Sequence, residues 1–383
     1  MPARPLKIGL ISANWGVKCH LPAWRAVDGC EVVAICTSRE ETATRAATAN
    51  GIPRAYADYR KMAADPDIDV IDVGTRPALR YHMVKAALEA GKHVYAGVPF
   101  AANVAQAREL VRLADTKDLK GASDAYFQYI PAHQELKKRI DAGEIGEILS
   151  VSLDLQINLF NPPQPNHSYY WFADRSNGAS VLRNLGTHTF TLLSALFGNV
   201  EEAIGRQFLN IPEWISPELG RIKPQVPDTA VALLQFRRGM IATINLSWVD
   251  AGPVGWRLDV HGAKGRFTVT HPLYFPNSGD FNGGEVRLYT SSPAAVEEKQ
   301  VEISREFTHA PQSGINHEFK PRPCYPMALS FNRLKAAIDG IGAASPSFDQ
   351  ALHAEEVIDA IIRSEQSRAW ERVRIADTRI SSN

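Results

Sequence analysis

Neither sign of charge prevails in this chain: 42 Lys and Arg against 42 Asp and Glu give a formal net charge of zero. A protein that neutralises a phosphate backbone needs a surplus of cations, so no nucleic-acid partner is expected. Cysteine is scarce, with four residues (Cys19, Cys30, Cys36 and Cys324) and no CxxC or His-paired spacing. That excludes a disulfide framework and a zinc site of ordinary spacing; it reads as reduced thiols in a cytosolic protein with no bound metal. Long apolar runs are missing too, since nothing approaches the ~18 residues of a membrane helix. The opening MPARPLKIGLIS has two early basic residues, but its apolar stretch ends in Ser12-Ala13-Asn14, too short and polar for an export signal. A cytoplasmic location without membrane attachment is the expectation. Internal repeats and low-complexity tails are absent as well. What is present is 383 residues, 45% hydrophobic and 22% charged, ordinary globular composition and enough for about two domains of roughly 150 residues.

From Leu6 to about Asp124, short β-branched runs alternate with helical stretches. LKIGLIS precedes a helix over Trp15 to about Val27; EVVAIC precedes one over 39–50. DVIDVG, at 69–74, leads to a helix over 77–90 closed by Gly91, then HVYAG and a helix over 103–117. Strands alternating with helices of this length predict a parallel sheet with its ligand crevice at the carboxyl ends of the strands. Beyond Pro131 the pattern changes. A helix over 131–142 is followed by EILSVSLDLQINL, a Pro/Asn-rich loop, and the strand-like runs TAVALLQF, GMIATINLSWV, GWRLDVHG, GRFTVT and GEVRLYT. Two helical stretches end the chain, MALSFNRLKAAIDGI and FDQALHAEEVIDAIIRSEQSRAW. The expected class is α/β: a dinucleotide-binding domain over 1–127 and an α+β domain over 128–383 with a large, mainly antiparallel open sheet.

A dinucleotide loop after a first strand uses small residues so that the backbone approaches a pyrophosphate at the helix N-terminus. Here that slot reads Ser12-Ala13-Asn14-Trp15-Gly16-Val17, which also suits a turn in which Ser12 and Asn14 cap a helix. At the end of the second strand an acid normally bonds the adenosine ribose and repels a 2′-phosphate. This chain has Thr37-Ser38-Arg39 instead, two hydroxyls and a guanidinium that suit a phosphate. The alternative is that Thr37 or Ser38 merely caps the next helix and Arg39 is solvated.

Taken together, KIGLIS…WGVKCHLPAW, TRPALRYHMVKAALEAGKHVYAGVP, IPAHQELKKRIDAGEIGEI, GASVLRNLGTHTFTLLSALFG and VIDAIIRSEQSRAW resemble the Gfo/Idh/MocA oxidoreductases. The most specific segment is the second, with Thr75, Arg76, Pro77, His82 and then AGKHV. WGVKCHLPA looks closest to the branch that contains the fungal galactose-regulon repressor. The resemblance implies a Rossmann domain, a nicotinamide cofactor and a sugar or cyclitol substrate. It implies cofactor contacts at Ser12, Ala13, Asn14, Trp15, Thr37, Ser38, Arg39, Thr75, Arg76, Pro77 and His82. The family's Glu-Lys-Pro, whose lysine serves the reacting hydroxyl, is Gly97-Val98-Pro99 here. Valine moves no proton, so the resemblance implies cofactor contact at this turn and not catalysis by it.

A second family pattern, Asp-x-x-x-His on a helix facing the cofactor, appears as Asn184-Leu185-Gly186-Thr187-His188. Residues four apart share a helical face. Histidine carries a proton near neutral pH, whereas an amide only orients a hydroxyl, which makes His188 the expected acid/base and Asn184 its positioning partner. Asn166, His167, Tyr169, Tyr170 and Trp171 precede that helix and are expected at the substrate, aromatic faces stacking on a ring, unless they form a buried cluster. The expected activity is hydride transfer between NADP (preferred) or NAD and a hydroxyl or keto carbon of a polyhydroxylated or cyclic small molecule, by a homo-oligomer (dimer or tetramer). Redox-assisted glycoside cleavage with tightly held cofactor, or a non-catalytic dinucleotide-binding regulator, are the alternatives.

Overall fold

Apolar runs buried on both faces build most of a first sheet, the edge strand RAY excepted. LKIGLI forms β1 (Leu6–Ile11), and CEVVAIC, RAY, VIDV, HVYA and GAS form β2 (Cys30–Cys36), β3 (Arg54–Tyr56), β4 (Val70–Val73), β5 (His93–Ala96) and β6 (Gly121–Ser123). Every residue of β4 is buried, as in a parallel sheet covered by helices. The strands run parallel in the order β3-β2-β1-β4-β5-β6, the doubly wound arrangement. Its helices are α1 (Leu21–Arg25), α2 (Glu40–Asn50), α3 (Tyr59–Ala63), α4 (Pro77–Glu89) and α5 (Val104–Thr116). The helix expected from Trp15 begins as a π turn over Gly16–His20, closed by the Leu21 N–H to the Gly16 carbonyl. Pro22, which has no N–H for an α ladder, follows directly.

The coordinates are a computed structural model that describes residues 4–374 apart from 164, 166, 253–254, 272–285, 296, 311–313 and 321–322. They divide into two compact units, Met1–Pro131 with Ser304–Ala351, and Ala132–Ile303 with Leu352–Asn383. The sequence reading placed a single boundary at 127/128. The difference lies in 304–351, which returns to the first unit: after α6 (Pro131–Asp141), α7 (Val181–Phe197) and α8 (Arg305–Thr308), helix α9 (Cys324–Ile338) brings Phe331 face to face with Trp24 at 3.9 Å and edge-on to Tyr95 at 4.5 Å. A boundary read from composition does not see aromatic stacking between residues about 300 positions apart.

The second unit is built on β7 (Ile148–Gln156), β8 (Val200–Phe208), a hairpin of β9 (Trp214–Ser216) and β10 (Gly220–Ile222), then β11 (Thr229–Phe236), β12 (Ile241–Ser247), β13 (Gly255–Gly262), β14 (Gly265–His271), β15 (Arg287–Ser291) and β16 (Lys299–Gln300). A short pair, β17 (His309–Ala310) and β18 (Ile315–Asn316), belongs to the first unit, and helix α10 (Phe348–Ser367) and β19 (Glu371–Arg372) end the described chain. The nine-stranded sheet runs β16-β15-β14-β13-β7-β12-β11-β8-β19 and is antiparallel throughout except for the β7–β12 ladder. Alternation sets its faces: in β11, Ala230, Ala232 and Leu234 are buried, whereas Val231 and Leu233 are 40% and 38% exposed. Among the described residues no helix is long and apolar enough to cross a membrane.

Candidate functional site

In the first unit, four turns stand at the carboxyl ends of adjacent strands. After β1, the Ser12 hydroxyl accepts from the backbone N–H groups of Asn14 (3.4 Å) and Gly16 (3.3 Å). Ser12 therefore forms the turn, as its capping chemistry allows, and the exposed residues there are Ala13 and Asn14. A Cβ on Gly16 would lie 2.9 Å from the Ser12 Cβ, and one on Gly74, after β4, 3.1 Å from it. The backbones of the two turns thus approach closely over a serine, the small-residue cradle a pyrophosphate requires. A dinucleotide fits this end of the sheet.

After β2, the Thr37 hydroxyl donates to the Arg39 carbonyl (2.9 Å) and lies 2.6 Å from the Thr42 hydroxyl. Thr37 is thus spent on the turn, while Ser38 and Arg39 are exposed, with Arg39 the extended N-cap of α2. After β4, the Thr75 hydroxyl donates to the Met83 sulfur (3.4 Å), Arg76 is exposed and Pro77 is the buried first residue of α4. His82 stands on the exposed face of α4 edge-on to Tyr81, with ring centroids 5.0 Å apart. The α4 residue that does reach the turns is Arg80, whose guanidinium donates to the carbonyls of Thr75 and Pro99. Gly97 and Pro99 of the turn after β5 are buried, and Val98 is half-buried. Sequence reasoning missed Arg80, because one arginine inside a helix carries no pattern.

Behind these turns lies a buried polar cluster that was also missed. His20 Nδ1 is 2.9 Å from both Asp72 oxygens, and its Nε2 is 3.2 Å from Asp124 Oδ2. Asp72 also accepts from Trp24 Nε1 (2.7 Å); Asp124 accepts from the Tyr95 hydroxyl (3.0 Å) and from Trp15 Nε1 (3.3 Å). Burial pulls the His20 imidazole down, but Asp72 and Asp124 outweigh it and hold the group well above the usual histidine range. Burial, then Asp124, keeps the Tyr95 phenol protonated as a donor. Both ring nitrogens of His20 accordingly donate, and Trp15, in the β1 turn, is tied to the cluster through Asp124. The one signal in the sequence was Asp72 inside the apolar run VIDV.

In the second unit, α7 carries the expected pair. The Ser180 hydroxyl accepts from the Arg183 N–H (3.2 Å), and the Ser180 N–H donates to Asn184 Oδ1 (3.2 Å), a reciprocal cap. The oxygen of Asn184 is therefore engaged at the helix start, and its amide N–H groups are not part of that cap. His188 is 4% exposed, one turn further on.

The aromatic stretch packs around Phe160, which stacks on Trp214 at 3.8 Å and meets His167 edge-on at 5.3 Å. Tyr170 is buried with its hydroxyl donating to the Ile215 carbonyl (2.9 Å), so it builds the wall instead of offering a free face. Tyr169 and Trp171 remain half-buried, and Asn166 lies outside the described residues. His167 is buried, and neither ring nitrogen has a hydrogen-bond partner among the described residues. Burial pushes it down to about 4 against the pull of Glu218. It is thus a neutral imidazole holding one unused N–H and one unused lone pair.

Two family models match the chain: the oxidoreductase family with NAD-binding Rossmann fold over residues 6–123, and the GFO/IDH/MocA C-terminal domain over 133–268. Among curated proteins, the trans-1,2-dihydrobenzene-1,2-diol dehydrogenase of Bos taurus is 25% identical over 290 residues, 76% of this chain and 78% of its own. An uncharacterised oxidoreductase of Synechocystis is 28% identical over 266 residues, 69% of this chain and 71% of its own. Levoglucosan dehydrogenase in complex with NADH shares the fold, with a TM-score of 0.83 over 97% of this chain and 100% of that one at 23% identity.

Proposed function

Because the chain belongs to the Gfo/Idh/MocA oxidoreductase family, we propose that it transfers a hydride between NADP, or less favourably NAD, and a hydroxyl or keto carbon of a sugar, cyclitol or related cyclic alcohol in the cytoplasm. The observation that carries the reading is the doubly wound sheet with its close-packed Ser12/Gly16/Gly74 cradle at the strand ends. The cyclic-diol and sugar-derivative chemistry named for the relatives supports the substrate class.

When bound, the dinucleotide supplies the hydride acceptor or donor. Ala13, Asn14 and Trp15 line the pyrophosphate side. Ser38 and Arg39, exposed after β2 with no acid at 37–39 and Glu40 opening α2, receive the 2′-phosphate through charge-assisted bonds. Val98 brings no proton to the reaction, so His188 serves as the acid/base toward the reacting hydroxyl and the Asn184 amide orients it. The neutral His167 both donates to and accepts from a second hydroxyl, with Tyr169 and Trp171 offering ring faces.

The test is a panel of sugars, cyclitols, dihydrodiols and glycosides with NADP⁺ and NAD⁺, followed by the absorbance of the reduced nicotinamide and by product analysis. Turnover of a cyclic polyol with net reduction is the expected result. Glycoside breakdown without net absorbance change would replace simple dehydrogenation by an oxidation–elimination sequence, and tight NADP binding with no turnover across the panel would overturn the proposal.

A further inference from the structure

Arg80 is the side chain around which two crevice turns are built. It is 3% exposed; Nη1 donates to the Pro99 carbonyl, Nη2 donates to that of Thr75, and Nη2 also lies 3.5 Å from the Val98 carbonyl. Thr75 follows β4, while Val98 and Pro99 follow β5. A guanidinium is a rigid planar fork, so bonding carbonyls of two separate turns fixes their spacing and tilt, which the point charge of an ammonium does not.

The turn also lies directly on the guanidinium. A Cβ at Gly97 would stand 2.9 Å from Arg80 Nη2, so glycine is what permits the approach. Gly97, Val98 and Pro99 carry no hydrogen-bonding side chain, and two of their carbonyls face Arg80. What the side chains of this turn offer a ligand is therefore shape. In a sheet of this order a dinucleotide divides at the β1/β4 switch point, one mononucleotide half on the β1–β2 side and the other on the β4–β5 side. Thr37 to Arg39 stand on the first side, and the turns held by Arg80 on the second.

We propose that Arg80 is the positioning residue for the nicotinamide half of the cofactor: without touching it, the guanidinium staples the turns at 75 and 97–99 into the surface on which the ring rests. The proposal rests on the dinucleotide reading of the crevice. It predicts a loss of affinity confined to the nicotinamide end, which a general structural role does not produce.

The experiment titrates wild type and Arg80→Lys with NADPH against 2′-phospho-ADP-ribose, and with NADH against ADP-ribose, each fragment being the same nucleotide without its nicotinamide. Thermal unfolding and circular dichroism are recorded alongside. Arg80→Lys should bind the whole dinucleotide at least about tenfold more weakly and the fragment within about twofold of wild type. Parallel weakening of both ligands, or no weakening of either, overturns the proposal. If wild type binds neither ligand, the dinucleotide reading falls and the proposal with it. Should Arg80→Lys fail to fold, Arg80→Gln, whose single amide nitrogen cannot reproduce the fork between the Thr75 and Pro99 carbonyls, must show the same asymmetry between dinucleotide and fragment.

Discussion

Replacing His20 by Leu tests whether an imidazolium holds the centre of the first unit together. The ring is fully buried, edge-on to Tyr95 and Phe331 at 5.6 and 5.8 Å, and bonds two carboxylates that are 1% and 4% exposed. One cation between two buried carboxylates leaves a single negative charge for the donors of Trp24, Tyr95 and Trp15 to spread. Leucine fills most of the space but leaves both carboxylates without their cation. Removing one partner of a buried ion pair costs about 3–5 kcal/mol, or roughly 10 °C in Tm at about 2–4 °C per kcal/mol for a unit of this size.

The pH dependence is the sharper discriminator. Because the folded His20 sits above its ordinary value, its contribution is complete below about pH 6.5 and is lost as pH rises through the folded value, at up to about 1.4 kcal/mol per pH unit. His167 and His353, pushed down to about 4 by burial, act in the opposite sense, losing stability as pH falls from about 6.5 towards about 4. Subtracting the His20→Leu profile from wild type cancels them. Urea unfolding followed by tryptophan fluorescence from about pH 5 to pH 9 should show a difference that is largest at low pH and shrinks upward. A difference that stays flat with pH, or is below about 1 kcal/mol throughout, would refute a charged His20.

His188→Ala should lower kcat by about 10²- to 10⁴-fold with cofactor affinity nearly unchanged, and full activity in this variant would remove His188 from the chemistry. Asn184→Ala should cost less in kcat but also about 1 kcal/mol of stability, because its oxygen accepts from the Ser180 N–H. Arg39→Ala should weaken NADP about tenfold or more in calorimetric titration and leave NAD unaffected; a wild-type preference for NAD by about tenfold would sink the 2′-phosphate assignment. Val231 and Leu233 form an exposed apolar pair on β11, next to Asn245 and Thr243 of β12. If the homo-oligomer expected from the sequence forms through this strand, Leu233→Lys should give a monomer in light scattering, and a monomeric wild type at micromolar concentration would overturn that expectation.

The strand runs, the helix periods and the strand-end turns were legible in the sequence because each is a local matter. Continuous apolar runs mark strands covered on both faces, and alternation marks TAVALLQF as half-covered. The Gly97-Val98-Pro99 turn and the Asn184/His188 spacing were equally visible, being contiguous or one helical turn apart. Periodicity states which face is buried but never what lies against it. The pairing of β7 with β12 in parallel, the return of 304–351 to the first unit through Phe331 on Trp24, and the choice of Arg80 over His82 as the α4 residue that reaches the turns were decided by tertiary packing. So was the meeting of His20 with Asp72 and Asp124, 52 and 104 residues away in the chain. An isolated carboxylate in an apolar strand announces that a partner must exist, because an unpaired buried charge is too costly to keep; which residue answers it depends on how the strands and helices pack.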